Sequence, residues 1–213
     1  MKIAFLGDSI TVGYGLANKE NRYSTIVSQA LKSEELNFGT TGTLVAKSGL
    51  NQSDGKDFLS RVNLINDADV AVVFGGTNDY FWSDKPIFGV GNQYFECAVN
   101  ELIEHIKEKR KGKITLFVTP YPHNGIGNYI GGKCWNDSNR HDTSKKNYNG
   151  HTLREYADVI IELCNKNNIP CLNLFEDFKF RWQEHTSDGC HPNEEGHSLI
   201  ANAVYEKLKS IML

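Results

Sequence analysis

A serine, a histidine and an aspartate can together turn a hydroxyl into a nucleophile, and this 213-residue chain carries such residues near its two ends. Ser9 follows a short apolar run, Ile3-Ala4-Phe5-Leu6, that breaks at Gly7-Asp8. Such a run reads as a buried strand ending in a tight turn, and in an α/β sheet ligands bind beyond the carboxyl ends of the strands. Asp188 and His191 stand three residues apart in Ser187-Asp188-Gly189-Cys190-His191-Pro192-Asn193, just before the last helical segment. That spacing lets the carboxylate reach the imidazole Nδ1–H and leaves Nε2 to face a serine. Asn78, in Gly76-Thr77-Asn78-Asp79 after another apolar run, can aim its amide N–H at a developing oxyanion. A fixed donor there contributes about 3–4 kcal/mol to the barrier.

Two backbone donors complete the expected oxyanion site. Ser9 supplies its own N–H, and a glycine after the short run 36–38 supplies the other. Gly42, in Gly39-Thr40-Thr41-Gly42-Thr43, and Gly49, after Ser48, both qualify, and Gly42 is preferred because it sits just beyond the strand end. Taken singly, each of these residues has a plainer reading. Gly-Asp-Ser is ordinary strand-to-helix turn chemistry, Asn78 suits a turn, and His191 could sit by chance in a helix N-terminal turn. Asp8 is expected to stabilise the first turn, Cys190 to be a buried thiol, and His105 and His197 to be packed or surface helix residues. Gly7, Gly13 and Gly15 do not form Gly-x-Gly-x-x-Gly, no Gly-Lys-Ser/Thr follows, and Gly-x-Ser-x-Gly is missing. A metal site would need His185 or His197 at unusual spacings, so no metal is expected.

The elements that must position these groups alternate along the chain. Helical spacing runs over residues 23–36, 56–64, 92–110, 151–168 and 193–211, with Asn193 as a cap for the last. Strands are expected at 3–6, 36–38 (an edge), 69–74, 113–119 and 169–174. The face of the 92–110 segment carries Ala98, Val99, Leu102, Ile103 and Ile106. Alternation of this kind calls for a parallel sheet with helices on both faces, in one domain over 1–213. Residues 121–150 stand apart: little periodicity, many Gly and Asn, and His123, Trp135, His141 and Tyr148 among them. Following a strand's carboxyl end, this loop is read as a pocket wall or lid, with a surface insertion as the equal alternative.

Composition bounds the function classes. With 39% hydrophobic and 23% charged residues the chain is globular rather than disordered, and a net charge of −3 leaves no footprint for nucleic acid or anionic membrane. No apolar run approaches a membrane span and the start lacks a signal-peptide pattern. Five widely spaced cysteines (Cys97, Cys134, Cys164, Cys171, Cys190), an odd number without Cys-x-x-Cys, point to reduced thiols and a cytoplasmic protein.

Gly-Asp-Ser at the start, a glycine after the second strand, Gly-x-Asn-Asp after the third and Asp-x-x-His near the end occur in one order. In this the chain resembles the SGNH hydrolases, the GDSL esterase/lipase family, with Ser9, Gly42, Asn78 and His191 at the four named positions and Asp188 completing a triad. Ile10 stands where the family has leucine. The resemblance implies a three-layer α/β/α, flavodoxin-like fold with five parallel strands, no cofactor, and ester or thioester hydrolysis through an acyl-enzyme. The expected substrate is a short-chain or acetyl ester of a polar or carbohydrate carrier, with no nucleic acid or membrane partner and homo-oligomerisation left open. An inert glycan- or partner-binding module on the same fold and an acyltransferase with the same triad are the alternatives.

Overall fold

In the computed structural model, residues 1–48, 56–123, 143–144, 146–176 and 178–213 are described. The expected rival Gly49, with Cys134, Trp135, His141 and most of the 121–150 loop, lies outside them.

The chain opens with β1 (Lys2–Gly7), α1 (Ser9–Val12), α2 (Tyr23–Ala30) and β2 (Glu34–Gly39). It continues through α3 (Phe58–Arg61), β3 (Val70–Phe74), α4 (Thr77–Trp82), α5 (Phe95–Lys109) and β4 (Ile114–Val118). The last elements are α6 (Leu153–Lys166), β5 (Cys171–Leu172), α7 (Trp182–His185) and α8 (Glu194–Met212). The five strands form one sheet in the order β2-β1-β3-β4-β5, and every pair is parallel. Alternation across the pleat splits the core in two. Ala4, Leu6, Ala71, Val73 and Phe117 face α3, α5 and α6, while Ile3, Phe5, Val70, Val72 and Leu116 face α2 and α8. This is the three-layer α/β/α arrangement expected from the alternation.

The helices follow their patterning where it is long. On α5, Ala98, Val99, Leu102, Ile103 and Ile106 are all buried. Thr152 and Glu155 close a reciprocal capping box on α6, and the Asn193 side chain accepts from Gly196 N–H at the start of α8. Two expectations need correction. The 23–36 helix stops at Ala30, Lys32 turns through φ 50°, and Glu34 already begins β2, pairing with Lys2. This strand hid in polar residues because its neighbours are polar: Glu35 accepts from Ser24 Oγ at 2.5 Å and Thr25 Oγ1 at 2.8 Å on α2. The 169–174 strand shrinks to Cys171–Leu172. Pro170 has no N–H to offer the ladder, and Leu174 N–H turns to Thr119 Oγ1 instead of a backbone carbonyl.

Glycine sets where α1 lies. Gly7 and Gly39 are register partners at the ends of β1 and β2. A Cβ on Gly7 would stand 1.9 Å from Thr11 Oγ1, and one on Gly39 would stand 2.6 Å from Val12 N. The two missing side chains let the helix that begins at Ser9 cross directly over the strand ends.

Candidate active site

The first turn of α1 presents Ser9. Asp8 caps that helix, its Oδ1 accepting from Ile10 N–H at 2.9 Å, and Ser9 is itself buried. The C-terminal loop brings the other two groups. Thr186 and Pro192 form an antiparallel bridge, Ser187 N–H donates to His191 O, and Gly189 turns the tip with φ 90°. Asp188 Oδ1 accepts the backbone N–H groups of Cys190 (3.0 Å) and His191 (2.7 Å), which fixes the carboxylate. Its Oδ2 lies 2.7 Å from His191 Nδ1, and His191 Nε2 lies 3.0 Å from Ser9 Oγ. Residues 9 and 191, from the two ends of the chain, thus meet over the carboxyl edge of the sheet with 188 behind them.

Asn78 lies in the first turn of α4, at the end of β3, on the wall of the same cavity. Its Nδ2 donates to Thr43 O at 3.0 Å and, at a longer 3.3 Å, to Asp8 Oδ2. Gly42 also lines the cavity, with φ 74°. A Cβ there would meet no atom of the described residues within 4 Å beyond its chain neighbours, and the positive backbone angle itself asks for glycine. The loop that follows is tied to α4 by Asp79, whose two carboxylate oxygens accept from Val45 and Ala46 N–H at 2.8 and 3.0 Å. Arg61 clamps the strand ends from the other side, donating to Phe38 O, Gly7 O and Thr43 Oγ1.

Over Ser9 the cavity encloses about 110 Å³, walled by Phe81, Trp82 and Tyr14. Tyr14 is half exposed, and its ring centroid is 4.5 Å from that of His191. Sequence reasoning missed Tyr14, Phe81, Trp82, Arg61 and Asp79. The flanking glycines at 13 and 15, both at positive φ, were a signal for Tyr14. The apolar run after Asn78 was one for Phe81 and Trp82, whereas Arg61 left none. Cys190 is buried beside His191, and burial pushes its thiol pKa well above the ordinary value, which suits the packed thiol expected of it. His197 is fully buried, its Nδ1 accepting from Tyr23 N–H, and His105, on α5, bonds Asn66. Among the described residues, no three His, Cys, Asp or Glu side chains are grouped to hold a metal ion, and no helix is long and apolar enough to cross a membrane. Cys97, Cys164, Cys171 and Cys190 are free thiols.

The electrostatics of the floor are unusual for carboxylates. Burial raises Asp8 to about 6, against the pull of Ile10 N–H, His191 and Arg61, and raises Asp79 to about 7, against the N–H groups of Ala46 and Val45. Burial also raises Asp188, but hydrogen bonds from the His191 side chain and backbone, the nearby imidazole charge and Cys190 N–H outweigh it and bring it to about 2. Burial holds His123 and His197 neutral down to about 3. These shifts oppose one another in the pH dependence of stability. Below about pH 6 the folded Asp8 and Asp79 bind protons the unfolded chain has lost, so acidification stabilises through them. The unfolded counterparts of His123 and His197 take up protons below about pH 6.5 that the folded chain refuses, so acidification destabilises through them. The expected urea midpoint is therefore nearly flat from about pH 6 to 4 and falls below that, where the carboxylates of the unfolded chain are protonated and only the penalties remain. His197→Asn keeps an acceptor for Tyr23 N–H and removes one penalty, so its midpoint should rise on acidification over the same interval.

A parallel five-stranded α/β/α sheet carrying a serine, a histidine and an aspartate at its carboxyl edge is the architecture of the SGNH hydrolases. The chain belongs to the GDSL-like lipase/acylhydrolase family, whose model matches residues 5–199. Among solved structures it is similar to a Lactobacillus plantarum protein at 26% identity and TM-score 0.79, covering 98% of this chain and 96% of that one. It is similar to a possible lipase from Chitinophaga pinensis at 20% identity and TM-score 0.73, covering 100% and 99%. An acetyl xylan esterase follows at 22% identity and TM-score 0.65, covering 97% and 98%. No curated protein sequence matches the chain.

Proposed function

We propose that this acylhydrolase is a serine esterase that hydrolyses short-chain acyl or acetyl esters of a polar or carbohydrate carrier. The single observation that carries the reading is the unbroken chain of contacts Asp188 Oδ2–His191 Nδ1 and His191 Nε2–Ser9 Oγ, at 2.7 and 3.0 Å. In roles, Ser9 Oγ attacks the ester carbonyl as His191 Nε2 takes its proton, and Asp188 orients and supports the imidazolium. The carbonyl oxygen, now an oxyanion, is held by Ser9 N–H, Gly42 N–H and Asn78 Nδ2. For Asn78 this means keeping the anchoring bond to Thr43 O and exchanging the longer one to Asp8 for the oxyanion. The tetrahedral species collapses as His191 returns the proton to the leaving alcohol, and water then releases the acyl group by the same route.

A space of about 110 Å³ walled by Phe81 and Trp82 suits an acetyl or similarly short group better than a fatty acyl chain. The similarity to an acetyl xylan esterase favours a carbohydrate carrier. The test has two arms. A fluorophosphonate should label Ser9, located by peptide mass, and kcat/KM should fall steeply from acetyl to octanoyl p-nitrophenyl esters. An unlabelled serine would favour an inert binding module, and product transfer to an added alcohol in preference to water would make the protein an acyltransferase.

A further inference from the structure

Polar atoms buried in a folded protein are nearly always hydrogen-bonded, because an unmade bond leaves the desolvation of that atom uncompensated. Thr77 Oγ1 departs from this. Like Ser28 Oγ and His197 Nε2, it is buried and makes no hydrogen bond. Of these three atoms it alone belongs to a residue of the cavity over Ser9. Thr77 is 4% exposed, is the first residue of α4, and immediately precedes Asn78. At that position the helix offers its own hydroxyl groups no carbonyl from a preceding turn, so a threonine there gains nothing from the backbone ladder.

We propose that Thr77 is a further substrate-binding residue, whose hydroxyl donates a hydrogen bond to an oxygen of the bound ester. The inference rests on the esterase reading above. Threonine carries a hydroxyl and a methyl on the same Cβ, and a turn about χ1 exchanges them between staggered wells. Under this proposal such a turn places the hydroxyl on the cavity face, where the ester supplies the bond it lacks. The size of the cavity narrows the acceptor. A space of about 110 Å³ over Ser9 holds a group of acetyl-ester size, whose only acceptors are the two ester oxygens. The hydroxyl would then act beside Asn78 on the reacting ester rather than on a distant part of the carrier. An unsatisfied hydroxyl kept at a functional site is a stability cost that substrate binding offsets.

This sets activity and stability against each other, which a purely structural threonine would not do. Thr77→Val keeps the shape and removes the hydroxyl. It is expected to lower kcat/KM for p-nitrophenyl acetate by about tenfold while leaving the melting temperature equal to or above that of the parent protein. Thr77→Ser restores the donor and should recover most of the loss. The inference is overturned if Thr77→Val keeps kcat/KM within about twofold, or if it loses activity and melting temperature together, since the hydroxyl would then be holding the fold. Failure of the esterase reading is separate: the parent protein itself would then not hydrolyse p-nitrophenyl acetate in a Ser9-dependent way.

Discussion

Ser9→Ala is expected to lower kcat for p-nitrophenyl acetate by about 10⁴- to 10⁶-fold, with the melting temperature unchanged within a few degrees. The size of the loss follows from what the substitution removes. Ser9 Oγ lies 3.0 Å from His191 Nε2, and without it the imidazole loses the hydroxyl it is placed to deprotonate. Cys190, the other nucleophile beside the base, is buried and its thiol is held protonated well above neutral pH. The small stability change follows from the same geometry, because Asp8 still caps α1 through Ile10 N–H and Gly7 and Gly39 still let the helix cross the strand ends. Initial rates on enzyme freed of contaminating esterase, with a melting curve alongside, check both halves. Retention of more than about one per cent of the parent rate would mean that attack on the ester does not pass through this serine.

How much of this was legible in the sequence depends on how each residue reaches its place. Ser9, Asn78, Asp188 and His191 were readable because each follows a local rule: a residue just past a buried strand, or a short Gly-Pro-braced loop before a capped helix. Strand β3 and helices α5, α6 and α8 were readable because their apolar periodicity is long. What escaped was set by contacts distant in the chain. β2 is polar because α2 supplies Ser24 and Thr25 to its Glu35, a partnership no periodicity announces. Arg61 reaches Gly7, Phe38 and Thr43 from the end of a four-residue helix, and Asp79 holds a loop more than thirty positions away, at Val45 and Ala46. Local chemistry writes the candidate groups into the sequence, while the frame that aligns them is a property of the assembled sheet. The choice between Gly42 and Gly49 illustrates the boundary. Gly42 lines the cavity beside Ser9 at positive φ, whereas Gly49 lies outside the described residues.

Asp188→Asn is expected to have the second large effect, set by which end of the new amide faces the histidine. Asp188 Oδ1 accepts two backbone N–H groups, from Cys190 and His191, and Oδ2 faces His191 Nδ1. An asparagine must offer its oxygen to those two donors, since an NH₂ placed there would meet them head on. Its NH₂ then faces Nδ1 and donates to it, which selects the tautomer with the proton on Nε2. That nitrogen now points a hydrogen at Ser9 Oγ instead of a lone pair, and the base is lost although every heavy atom keeps its place. A fall in kcat of about 10³- to 10⁴-fold is expected, with KM little changed because the amide has the size of the carboxylate and leaves the shape of the cavity it lines unaltered. The stability consequence has its own sign. A carboxylate held at about 2 contributes stability that is present above the ordinary aspartate range and lost as pH falls through that value. The urea midpoint of the variant should therefore lie below that of the parent at neutral pH, and the gap should close as the pH is lowered towards about 2. Tautomer assignment by ¹⁵N NMR of the His191 ring separates this mechanism from simple loosening of the loop. A proton found on Nδ1 in the variant would overturn it.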